Sequence, residues 1–170
     1  MSCFVRQKLK EFTGYGQTVR VVSLHPDISY PWHALEFVVS GRTVVCHGGV
    51  GADGRRVVAV GMDGRASAVY GLAKSGATTA AAATLCGGGH TNSPMHAVVD
   101  ADNFVVVLDC DNRVLTLLDH QLGFVRELVA ANESAATFGL KDPRRICLDA
   151  NSNQLYVGEG NGSVTVIQLK

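Results

Sequence analysis

Pro94-Met-His-Ala-Val-Val-Asp100, Ala101-Asp-Asn103, Phe104-Val-Val-Val-Leu108, Asp109-Cys-Asp-Asn-Arg113 and Val114-Leu-Thr-Leu-Leu118 follow one another without a break. Two short Val- and Leu-rich runs are bounded by corners of Asp and Asn, the pattern of strands joined by tight turns. Neither run sustains a 3.6-residue period. The same order of events restarts at Pro143-Arg-Arg-Ile-Cys-Leu-Asp149. Its turn is Ala150-Asn-Ser-Asn153, its strand covers 154–157, its corner is Glu159-Gly-Asn-Gly162, and a last strand covers 163–169. The two prolines stand 49 residues apart.

A more divergent copy begins at Pro31-Trp-His-Ala-Leu-Glu-Phe37, turns at Ser40-Gly41, and continues in strands over 43–46 and 57–60. It lies 63 residues before the second copy because extra residues enter the corner Gly48–Gly54 and the Ala/Gly-rich link Gly71–Gly89. Segments 66–71 and 123–129 supply a fourth, outer strand to the first two copies, and 18–24 reads as the outer strand of a preceding blade. Short strands on a period of roughly 40–50 residues point to β-propeller blades. The expected fold is all-β, a partial propeller of about three to four antiparallel four-stranded blades. It divides into 1–29 (outer strands of a truncated blade), 30–71 (a divergent blade), 72–92 (link), 93–130 (a blade) and 131–170 (a blade).

Composition sets limits. The 170 residues are 46% hydrophobic and 18% charged, which argues against disorder, and 15 basic residues balance 15 acidic ones. No global charge draws the chain to nucleic acid or anionic lipid. The five cysteines lack CxxC spacing, no apolar run suits a signal peptide or a membrane span, and the expected compartment is the cytoplasm with reduced thiols.

The frame of Pro94 to Asp100, a Val-rich strand, and Asp109-Cys-Asp-Asn-Arg-Val114 resembles the NHL repeat. It is most similar to the C-terminal NHL region of animal tripartite-motif (TRIM) proteins. The third copy keeps the frame with Gly162-Ser163 in place of Asn-Arg, and the first carries Phe37 in place of the Asp. The resemblance covers about four fifths of the chain. It implies a binding propeller, completed by further blades or by self-association. The zinc-binding array and coiled coil that precede such propellers are not in this sequence.

Strands of a blade alternate in direction. The start of the first strand and the corner between the second and third therefore share one end of the blade. That end gathers Trp32, His33, His47, Met95, His96, Asp109, Asn112, Arg113, Arg144, Arg145, Glu159 and Asn161, with aromatic, imidazole and guanidinium groups, and is the expected binding face. The opposite end carries small polar turns. Repeated residues usually serve the repeat. Pro-x-His at His33 and His96 is then a blade-packing or hydrogen-bonding device ahead of a repeated surface contact, and Arg113 the partner of a carboxylate such as Asp109 ahead of a phosphate contact. Arg144-Arg145 has no counterpart in the other copies and is open to function.

Catalytic signatures are weak. Cys86 and His90 lack a second pair of zinc ligands, and Cys46 and His47 point to opposite faces of a strand. There is no P-loop, HExxH or GxSxG. The expected function is non-catalytic, without cofactor or metal: a scaffold for a protein partner, as at the substrate-recruiting end of a TRIM-type ubiquitin ligase. The alternative is single-stranded RNA binding, with Trp32 as stacking platform and Arg144 and Arg145 on phosphates. An NHL-like lyase would need metal ligands, which the sequence does not show.

Overall fold

The computed structural model describes residues 2–4, 7–37, 40–48, 55–71, 86–87, 93–129 and 139–169. Among them there is no helix, and so none long and apolar enough to cross a membrane. The strands form four sheets. The first contains β1 (Ser2–Phe4), β2 (Lys8–Phe12) and β3 (Thr18–Ser23). The second contains β4 (Pro31–Glu36), β5 (Thr43–His47), β6 (Arg56–Val60), β7 (Ala66–Tyr70) and β8 (Cys86–Gly87). The third contains β9 (Pro94–Val99), β10 (Val105–Asp109), β11 (Val114–Leu118) and β12 (Phe124–Val129). The fourth contains β13 (Pro143–Asp149), β14 (Gln154–Glu159) and β15 (Val164–Gln168).

The apolar runs follow from burial on both sides. Alternate residues of a strand face opposite ways, so a strand in a sandwiched sheet reads as continuously hydrophobic. In β5, Val44 and Cys46 enter the core shared with the third sheet, while Val45 enters the core shared with the first. In β10, Val105 and Val107 face the second sheet, and Val106 and Leu108 face the fourth. Three cores thus separate four sheets stacked face to face in chain order.

Each complete blade is a four-stranded antiparallel meander, β4–β7 and β9–β12. Only the third sheet has four strands and no more. The second gains β8 from within the glycine-rich link, paired in parallel with β7 (Val69 with Cys86, Tyr70 with Gly87). The rest of 72–92 and most of the corner at 48–54 lie outside the described residues.

The end sheets hold three strands each, and register identifies which. The third and fourth strands of a blade slip by one residue at the same place, before Val60↔Ala66 and before Leu118↔Phe124. The pair β2–β3 slips likewise before Phe12↔Thr18, so β1–β3 correspond to strands two to four of a blade. A slip also marks strands one and two: Pro31↔His47 then His33↔Cys46, Pro94↔Asp109 then His96↔Leu108, Pro143↔Glu159 then Arg145↔Gly158. Asp100 and Asp149 therefore occupy equivalent positions. Trp32, Met95 and Arg144 are the inserted residues of three equivalent β-bulges.

Most turns share one geometry. The first residue donates its N–H to the carbonyl four residues on and accepts from the residue three on: Asp100 with Phe104 and Asn103, Asp119 with Gly123 and Leu122, Gly61 with Arg65 and Gly64. The residue closing such a turn is left-handed, which glycine and asparagine tolerate. Gly64 (φ 77°), Gly162 (87°) and Asn103 (65°) fit that rule, while Leu122 (61°) breaks it with its side chain buried in the core.

Candidate functional site

Inner-edge strands β4, β9 and β13 lie side by side and line the axis of the stack, so the candidates at their starts are neighbours. Trp32, His33, Met95, His96, Arg144 and Arg145 sit within these strands rather than in the links that precede them. Arg144 and Arg145 do have counterparts: Arg144 occupies the bulge position of Trp32 and Met95, and Arg145 the position of His33 and His96. The backbone positions are shared, while the arginine side chains have no like in the other copies. The shared bulge became visible only once the strands were paired.

The corner residues do structural work. Asp109, 3% exposed, accepts the Ser93 N–H at 3.1 Å and the Asn112 N–H at 3.0 Å through one oxygen, and Asn112 Nδ2 at 3.1 Å through the other. Glu159 at the equivalent position accepts from the Lys141 and Asp142 amides at 3.1 and 3.3 Å and from the Thr165 hydroxyl at 2.8 Å. These bonds hold the Glu159 carboxyl below its ordinary range against a desolvation that raises it. Each carboxylate ties the chain entering the blade to the corner, because amides outside a ladder need an acceptor. Asn161 is spent in its own turn on the Ser163 N–H and hydroxyl at 2.9 and 2.7 Å.

Two candidates move away from the assigned roles. His47 stands where the other blades have Asp109 and Glu159 but is 3% exposed, too deep to meet a ligand on the face. Neither ring nitrogen has a hydrogen-bond partner among the described residues, and burial followed by the Arg56 charge pushes its pKa down to about 4. Arg113 was expected to pair with Asp109. It is exposed, left-handed at φ 58°, and in no ion pair among the described residues, the Asp109 oxygens being occupied by amides and Asn112.

Trp32 is 42% exposed but already engaged: its indole N–H donates to the Gly48 carbonyl at 2.9 Å, and the Arg55 guanidinium lies 5.9 Å from the ring centre. Arg55 also reaches the Ser93 hydroxyl and, at 3.4 Å, Asp111 of the next blade, latching the two blades at this end. Arg42 does the same at the other end, donating to the His120 carbonyl at 3.0 Å. The sequence reading missed both arginines, which lie next to turns and act between blades, where no intrablade pattern reports them.

At the inner rim His33 and His96 stack, ring centres 3.8 Å apart. His33 Nε2 lies 2.9 Å from the Ala97 carbonyl and donates to it. His96 Nδ1 is buried without a partner. Burial above all, then the His33 ring and the Arg145 charge, push the His96 pKa down to about 4, and burial lowers that of His33. Both rings are neutral at pH 7. Arg144 forms a two-point ion pair with Asp142 at 2.9 and 3.1 Å, whereas exposed Arg145 makes one bond, to the Arg144 carbonyl at 3.2 Å. Cys46 and Cys110 are raised to about 12 and 11, chiefly by burial, so neither is a thiolate at neutral pH. Among the described residues no group of three or more His, Cys, Asp and Glu could hold a metal ion.

No protein family matches the sequence, and no curated protein matches it. Solved structures do match in shape. A protein of unknown function from Bacteroides caccae aligns at 10% identity and TM-score 0.51, over 96% of this chain and 51% of its own. Virginiamycin B lyase from Staphylococcus aureus aligns at 16% and 0.52, over 96% and 49%. A streptogramin B lyase aligns at 16% and 0.50, over 96% and 62%. The chain spans about half the length of the first two. At such identities the likeness is one of fold, and with the sheet order, cores and repeated register it makes this chain a run of β-propeller blades.

Proposed function

We propose that this stretch of propeller is a binding scaffold that presents the inner-strand end of its blades to a protein partner. One observation carries the reading. Asp109, Asn112, Glu159 and Asn161 at that end are consumed by the repeat, while the side chains left for contact, Met95, His96, Arg145 and part of Trp32, form a mixed apolar and donor-rich surface. Contact surfaces enriched in Met, Trp and Arg are typical of interface cores. The NHL subtype, and a role recruiting substrates to a TRIM-type ligase, rest on the Pro-to-Asp frame and the Asp-x-x-Asn-Arg-Val corner.

Single-stranded RNA is the competing ligand. Trp32 speaks against it, since one ring face is covered by Arg55, and so does Arg144, whose charge is neutralised by Asp142. Two solved neighbours carry the name lyase, so propellers of this shape do host enzymes.

A photo-crosslinking amino acid placed at Met95, and in a second variant at Asp102 in the opposite-end turn, tests the reading in cells. Protease-sensitive adducts from Met95 and none from Asp102 are expected. Adducts sensitive only to nuclease, or equal yields from both ends, would overturn it.

A further inference from the structure

The stacked histidines leave one group unused. His33 holds its proton on Nε2, because that atom faces the Ala97 carbonyl at 2.9 Å. His96 presses its Nδ1 into the protein with no partner. A proton on Nδ1 would be a buried donor without an acceptor, so it resides on Nε2, where no acceptor is present among the described residues. The inner rim thus offers an imidazole N–H fixed in orientation by the His33 ring beneath it. Beside it on β13, at the register position of His96, stands exposed Arg145, whose one bond among the described residues is to the Arg144 carbonyl.

Building on the scaffold reading, we propose that His96 and Arg145 form a subsite for one carboxylate side chain of the protein partner, with His33 as the positioning residue. A carboxylate is acceptor-only, and its two oxygens suit one imidazole N–H and one guanidinium edge. Arg145 supplies one positive charge that no carboxylate pairs among the described residues, while Arg144 is neutralised by Asp142. The subsite thus carries charge for one anion, a single carboxylate of a protein partner, rather than for a run of phosphates.

Imidazole resonances of the full chain, with His96 assigned through His96→Gln, provide the measurement. The probes are a blocked hexapeptide of five glutamines and one glutamate, blocked hexaglutamine and hexauridylate. The single-glutamate peptide is expected to shift the His96 signal saturably and to raise its titration midpoint, since a bound anion favours the protonated ring. Arg145→Gln should weaken this binding about tenfold, the loss expected for a charge-assisted hydrogen bond. Arg126→Gln on the outer strand β12 should leave it within about twofold. An absent shift up to millimolar peptide, an equal response to hexaglutamine, or equal weakening by Arg126→Gln would overturn the subsite. A shift with hexauridylate but not with the single-glutamate peptide would overturn the carboxylate assignment. Partner adducts from Met95 alongside a silent His96 would leave the scaffold standing and remove only this subsite.

Discussion

Asp109 and Arg113 lie four residues apart in one corner, and the structure gives them unequal importance. Asp109→Ala would strand the Ser93 and Asn112 amides, each worth about 1–3 kcal/mol when left without an acceptor, so a loss of about 2–4 kcal/mol is expected in urea unfolding. Asp109→Asn, which keeps an acceptor oxygen, should lose much less. Arg113→Gly should be harmless or stabilising by up to about 1 kcal/mol, because it relieves a left-handed side chain that makes no ion pair among the described residues. A clear loss on Arg113→Gly would mean that its side chain holds the corner after all. Titration separates a third group. His47 and His96 have pKa values near 4 in the folded chain against about 6.5 unfolded, so the unfolded chain binds more protons between those values. Their stabilisation is complete above about pH 6.5 and is lost as pH falls toward 4. Asp149 and Glu159, held below their ordinary values, lose theirs only in a lower window. Urea midpoints should therefore already decline between pH 7 and 4.5, and less steeply in His96→Gln; a flat profile would contradict the neutral buried rings.

At the scale of elements, the two complete blades were legible because their Val-rich strands are buried on both faces and their Asp corners recur in register. β1 and β2 were not resolved individually: Ser2–Phe4 is short, and Lys8–Phe12 carries two lysines and a glutamate outside any Pro-to-Asp frame. β8 escaped because two residues in a glycine-rich link, paired in parallel, have no periodicity to read. The gathering of the candidate residues at one end was legible by strand direction, but their depth was not, since the burial of His47 and Asp109 depends on neighbouring segments in space. Gly64 shows how such contacts act. A Cβ there would lie 1.8 Å from the Ser23 carbonyl oxygen of the first sheet, and His25 donates to the Gly64 carbonyl at 2.9 Å. Gly64→Ala should cost about 3 kcal/mol through overpacking and left-handed strain. Gly41→Ala, equally left-handed but with open space around it, should cost about 1 kcal/mol. Equal losses in thermal or urea unfolding would show that the approach of the first two sheets is not tight.

On the scale of the molecule, four sheets make three buried seams and leave one face open at each end. Val19 and Val21 of β3, and Val164 and Val166 of β15, are about half exposed there, while Val22 and Ile167 on the reverse sides reach the cores. Covering such valines is worth up to about 1.5–3 kcal/mol each, so the 170-residue chain in isolation should self-associate as its concentration rises. Light scattering after gel filtration measures this, and Val164→Thr with Val166→Thr should raise the monomer fraction; an unchanged profile would place the contact elsewhere. The bulge shared by the inner strands has another consequence. Main-chain pairing sets its geometry, and the slot has been filled by an indole, a thioether and a guanidinium in successive copies without a change of register. Such a position can change its chemistry one codon at a time while the ladder around it stays intact. A propeller built this way can acquire a new partner by exchanging three side chains, with no new backbone to invent.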